Sequence, residues 1–100
     1  MESKSVREAL QDDMAEMFWL ELERLAPSDS VIVVDGSIDL LEVGEQIAVD
    51  NTERVSAWLE GGKVYRPNET QLEVLRTSSN RFLCVIVKPF VLAQEITVNC

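Results

Sequence analysis

Residues 39–67, DLLEVGEQIAVDNTERVSAWLEGGKVYRP, decide how the chain is organised. They contain two short apolar-periodic segments separated by a polar corner. Asp39 precedes the first segment, with Glu42 three residues on, which is the spacing of a reciprocal helix cap; Leu40, Leu41, Val43, Ile47 and Ala48 then supply one face. Asp50 and Glu53 repeat the pattern ahead of Val55, Trp58 and Leu59, and Gly61–Gly62 stop the second helix. A glycine inside the first helix, Gly44, lowers its propensity by about 1 kcal/mol relative to alanine, and a close helix contact accounts for its presence. The result is a helix pair in the rhythm of a helix-turn-helix, with Trp58 expected to fill the core. Six acids (Asp39, Glu42, Glu45, Asp50, Glu53, Glu60) face three bases (Arg54, Lys63, Arg66) over the same stretch, an unfavourable balance for a phosphate-binding helix pair.

Working outward, residues 5–26 place Val6, Leu10, Met14, Phe18, Leu22 and Leu25 at intervals of four, four, four, four and three, which predicts one long N-terminal amphipathic helix ended by Pro27. Leu20 lies about 200° around that helix from Phe18, with Trp19 on the flank between them. Trp19 and Leu20 are therefore the candidate partner interface, and a homodimer or other protein partner the expected occupant. SVIVVD at 30–35 reads as a buried strand between turn-forming SDS and DGS. Residues 63–66 are a short extended piece, and Asn68 with Gln71 caps a modest helix carrying Leu72 and Leu75 inward. Residues 82–93 carry the strongest strand signal, six consecutive apolar residues starting at Phe82, with Pro89 marking a bend, a bulge or an edge. The expected fold is α+β in one domain, residues 1–100, with the long helix, the winged-helix-like pair and a small mixed sheet.

Charge is distributed unevenly. Residues 1–62 hold 15 acids and 4 bases, whereas residues 63–100 hold 3 acids and 5 bases, within a chain of net charge −9. Lys63, Arg66, Arg76, Arg81 and Lys88 are the candidate phosphate contacts of a nucleic-acid-binding alternative. Against that alternative, the outer face of the second helix presents Glu53 and Glu60, which repel phosphate.

The enzyme reading fails on residue types. With no histidine, the usual general base near neutral pH and the commonest zinc ligand are both missing. VIVVDGSID is reminiscent of the nucleophilic aspartate loop of haloacid-dehalogenase-like phosphatases, but there the second acid stands two residues on, whereas Asp39 stands four after Asp35; a turn residue and a helix cap explain the two aspartates. Asp12, Asp13 and Glu16 fall on one side of the predicted first helix without the glycine turn of a calcium loop, so they read as a solvated face. No glycine-rich phosphate loop is present. No catalytic, metal-binding or cofactor-binding residue is assigned, and a small ligand-binding or enzyme subunit using Asp35, Asp39 and Arg81 is the weakest alternative. The amino terminus lacks a signal-peptide pattern, no apolar run approaches the roughly 20 residues of a membrane span, and Cys84 and Cys100 suit a buried and an incidental thiol. These features predict a cytoplasmic protein.

Several linked motifs, DLLEVG (39–44), DNT (50–52), VSAWLEGGK (55–63), RP (66–67) and RF with VIVKPFVLAQ through residue 94, resemble a family of small bacterial proteins, domain of unknown function 2288. The likeness spans roughly residues 8–94 and places Trp58, Gly62, Pro67, Arg81, Pro89 and Phe90 in matching motifs. Because the family has no assigned activity, the resemblance implies a bacterial cytosolic protein and assigns no catalytic residue. The functional expectation is a non-catalytic protein-interaction or self-association module with a helix-turn-helix-like core.

Overall fold

The alternation of apolar residues in the last third builds the centre of the molecule. In the computed structural model, which describes residues 6–27 and 30–96, the elements are α1 (Val6–Asp12), β1 (Ala15–Phe18), α2 (Trp19–Leu25), β2 (Val31–Val34), α3 (Leu40–Ala48), α4 (Thr52–Glu60), β3 (Val64–Tyr65), α5 (Glu69–Thr77), β4 (Arg81–Val87) and β5 (Phe90–Glu95). The five strands form one sheet in the order β1-β4-β5-β2-β3. β5 lies antiparallel to β4 and parallel to β2, while β1 and β3 close the two edges in antiparallel pairings. The single strand expected over 82–93 is a hairpin instead, turning at Lys88–Pro89, where the peptide bond is cis. Proline cannot donate to a ladder, and here it lies in the turn between two strands.

Both faces of the sheet are covered. Val31, Val33, Phe82, Cys84 and Ala93 point to one side, where Trp19, Leu22 and Ala26 from α2 and its exit and Leu72 and Leu75 from α5 complete a core. Ile32, Val34, Val64, Val85, Val87 and Leu92 point to the other, against Leu10 of α1 and Leu40 and Val43 of α3. Strands buried on both faces read as continuous apolar runs, which accounts for VIVV and for FLCVIV apart from Ile86, which is exposed.

The long first helix is corrected. Residues 15–18 form edge strand β1, paired with β4 in the register Ala15↔Cys84 through Phe18↔Arg81, and this strand divides the helix into two seven-residue pieces. Leu10 belongs to one core and Leu22 to the other, so β1 carries the chain around the edge of the sheet from one face to the other. The helical stripe mimicked continuity, but the pairing with β4 overrides it. The interface expectation changes with it: Trp19 is 1% exposed and meets Phe82 edge-on at 5.3 Å, whereas Leu20 is 58% exposed.

The helix pair is present as α3 and α4, but the returning ribbon of a winged helix does not follow it directly. β3 is two residues long and pairs with β2, and α5 intervenes before the β4–β5 hairpin. The Asp39 half of the first cap forms, accepting from the Leu41 N–H, but Glu42 pairs with Arg54 and makes no reciprocal bond, whereas Asn68 and Gln71 make the reciprocal cap of α5. The α4 cap is Asn51, not Asp50. Asp50 is occupied otherwise: at φ 57° it ends α3 in the left-handed region, with the Asn51 N–H donating to the Gln46 carbonyl and the Asp50 N–H to the Ile47 carbonyl. The corner thus has the double hydrogen bond of a glycine-terminated helix without glycine, a role Asp tolerates. Gly62, at φ 73°, does the same for α4, where Lys63 N–H reaches the Trp58 carbonyl at 2.8 Å. Gly44 is explained as expected: a Cβ there would stand 3.0 Å from Leu10 Cδ1, where α1 crosses α3. Trp58 is a correction, because α4 has no buried residue and Trp58 is only half-buried at the margin of the core, under the Arg54 guanidinium. Cys100, Ser28 and Asp29 lie outside the described residues.

Trp19 contributes its area but not its polar atom, since Nε1 is buried with no acceptor among the described residues. Trp19→Ala is expected to cost about 3–5 kcal/mol, as a large core truncation does. Trp19→Phe is expected to cost only about 1–2 kcal/mol, because removing an unsatisfied donor recovers part of its desolvation penalty. Urea denaturation of the two variants checks the difference, and equal losses contradict it.

Candidate functional site

The α3–α4 corner and the sheet beneath it enclose the principal hollow. α4 starts two residues after the left-handed Asp50, and its Val55 and Leu59, one turn apart, lean over the sheet without reaching its buried centre. They form one wall of a groove of about 240 Å³, with Ile47 of α3 as a second wall and Ile32, Val64 and Phe90 as neighbouring apolar lining from β2, β3 and β5. Its polar lining is Gln46, Asp50, Asn51, Thr52, Ser56 and Arg66. Two of these have structural roles: Asn51 caps α4 and donates from Nδ2 to Gln46 Oε1 at 2.7 Å. Arg66 lies with its guanidinium 5.6 Å from the centre of the Phe90 ring, a cation–π arrangement. Leu59 remains 51% exposed.

A second hollow, of about 170 Å³, lies on the opposite face at the carboxyl ends of the parallel strands β2 and β5, lined in part by Asp35, Tyr65, Leu75 and Glu95. Its polar groups tie loops together. Glu95 accepts from Ser78 Oγ at 2.8 Å and Asn80 Nδ2 at 3.0 Å, and Gln94 Nε2 donates to the Asp35 and Ile38 carbonyls. Asp35 accepts from the Ser37 hydroxyl and N–H and faces Lys63 at 3.9 Å; the Ser37 hydrogen bonds hold its carboxyl below the usual aspartate range. Burial, followed by the charges of Glu95 and Asp35, raises the Tyr65 phenol above its ordinary value of 10.0. Burial also pushes the Cys84 thiol up to about 11, which makes it an unreactive core residue at neutral pH.

The expected phosphate contacts do not gather on one surface. Strand directions place Lys63 and Arg81 at one end of the sheet and Arg66 and Lys88 towards the other. Lys63 faces Asp35, Arg76 is bound through two nitrogens to Glu23 at 2.9–3.2 Å, and Arg81 lies 3.8 Å from Glu16 and over the Phe18 ring. Asp39 caps α3 and pairs with Arg7, so Asp35, Asp39 and Arg81 are held apart in separate structural contacts. Asp12, Asp13 and Glu16 no longer share a helical face, and no metal-holding group of three or more acids, cysteines or histidines occurs among the described residues. Nor is any helix among them long and apolar enough to cross a membrane. Sequence reasoning singled out Arg66 but not the groove around it. Val55 and Leu59 at helical spacing read as core, and only the return of β5 brings Phe90 beneath them.

The sequence profile of the family described as "Protein of unknown function (DUF2288)" matches residues 5–95, and the chain belongs to that family. Among solved structures, the chain is similar to PA1075 from Pseudomonas aeruginosa, determined by NMR in solution, with 31% identity and a TM-score of 0.80 over 100% of this chain and 94% of that one. No curated protein matches.

Tyr65 is the sole tyrosine, so its ionisation can be followed alone. Its absorbance at long ultraviolet wavelength is expected to titrate with a midpoint above 10.0, and Glu95→Gln to lower that midpoint without removing the upward shift, since burial is the larger cause. A raised phenol contributes stability that is complete below the unfolded value and disappears as pH rises through the folded one. A midpoint at or below 10 contradicts the placement of Tyr65.

Proposed function

We propose that this protein is a non-catalytic protein-binding module, with the helix-turn-helix-like pair α3–α4 serving as one side of a docking groove instead of a DNA-reading surface. The observation that carries this reading is the apolar groove under α4, whose Val55 and Leu59 are not buried in the domain's own core and stand over its margin at Ile47 and Val64. A helix that presents an apolar face to an open hollow has burial still to gain, at about 25 cal/mol per Å² removed from water. A partner side chain supplies that burial. The polar lining suits the rim of such a site, where amides and hydroxyls fix orientation around an apolar centre.

A neutral mimic of one peptide residue, N-acetyl-leucinamide, tests the reading directly. Titrated at millimolar concentration into isotopically labelled protein, it is expected to shift the methyl resonances of Ile32, Ile47, Val55, Leu59 and Val64. Leu59→Lys should weaken those shifts while leaving the spectrum folded. Shifts spread evenly over the surface, or centred on Leu20 and Leu25, overturn the groove as the docking site.

A further inference from the structure

We propose that the groove takes the carboxyl-terminal residue of a partner protein, with an apolar side chain against Val55 and Leu59 and a free carboxylate on Arg66. The inference rests on the reading of the groove as a protein-docking site and names the chemistry it selects. In a chain of net charge −9, Arg7, Arg54, Lys63, Arg76 and Arg81 each have a carboxylate partner. Arg66 has none within salt-bridge distance among the described residues, and it lines the groove. The cation–π contact with Phe90 uses the charge of the guanidinium without using its N–H donors, which suit a planar carboxylate acceptor. Arg24 and Lys88 likewise have no carboxylate within salt-bridge distance among the described residues, but Arg66 is the base that lines the groove, so a carboxylate entering it meets Arg66. Asp50 is part of the same lining, and its charge disfavours a carboxylate away from Arg66.

Size selects the chain end. A hollow of about 240 Å³ is smaller than the ~300–1,000 Å³ of sites for drug-sized ligands and suits one residue-sized group. Only at a carboxyl terminus do an apolar side chain and a carboxylate share one α carbon. An aspartate or glutamate neighbouring an apolar residue would place its charge on a separate branch.

N-acetyl-leucine and N-acetyl-leucinamide differ only in that charge, so paired titrations isolate it. At low salt the acid is expected to bind about three- to fivefold tighter than the amide, the return of an exposed ion pair, and added sodium chloride to shrink the difference. Arg66→Gln, at an exposed position, should keep the fold, retain the amide's affinity and abolish the preference for the acid. Equal binding of acid and amide to the unaltered protein overturns the role of Arg66 while leaving the groove reading intact. Failure of both probes to shift groove resonances overturns both. Octanoate binding more tightly than N-acetyl-leucine by a factor of about ten or more replaces the chain end with a fatty acid and overturns the proposed occupant.

Discussion

Strand β5 is the constraint on which the rest of the structure depends. It lies third of five in the sheet, with β4 on one side and β2 on the other, and its Leu92 and Ala93 are completely buried on opposite faces. Alternation along β5 fixes which residues every neighbour must present: Cys84 and Val33 opposite Ala93 on one face, Val85 and Ile32 opposite Leu92 on the other. A slip of one residue would exchange the two cores, placing residues shaped for α2 and α5 beneath α1 and α3. The helices follow from this. Gly44 is needed because Leu10 of α1, Val87 of β4 and Leu92 of β5 all converge on α3 at that point.

The same arrangement explains how a strongly acidic chain closes on itself. Its acids stay at the surface, and many are met by bases from distant parts of the sequence: Arg7 with Asp39, Arg54 with Glu42, Arg76 with Glu23 and Arg81 with Glu16. Each pair is exposed enough for solvent to screen it, so the set limits repulsion more than it adds stability. The Arg76–Glu23 pair also joins α5 to α2 over one core, and Glu42–Arg54 joins the two helices beside the groove.

What could be read in the sequence was local. Strand β2, the caps at Asp39 and Asn68, the stop at Gly61–Gly62 and the close contact at Gly44 follow from residue chemistry within a few positions. Residues 15–18 were illegible because AEMF continues a helical spacing, and only pairing with β4, more than sixty residues away, makes it a strand. Asp50 was misassigned for a related reason. Its neighbour Asn51 caps α4 equally well, and the left-handed turn that releases Asn51 for the role belongs to the junction of two helices. The groove was hidden in the same way: its walls look like core until the placement of α4 shows that nothing in the described chain covers them.

The position of β5 also sets the order in which the protein can be made. β2 leaves the ribosome early, yet its parallel partner is synthesised almost sixty residues later. Until then β2 has only the two pairings with β3, β4 lacks its hairpin partner, and both cores are open along the line that Leu92 and Ala93 will close. Synthesis at about 5–20 residues per second therefore holds the apolar strands exposed for seconds. Closure of both cores thus waits on β5, and the charge of the acidic first two-thirds of the chain opposes association of nascent segments during that interval.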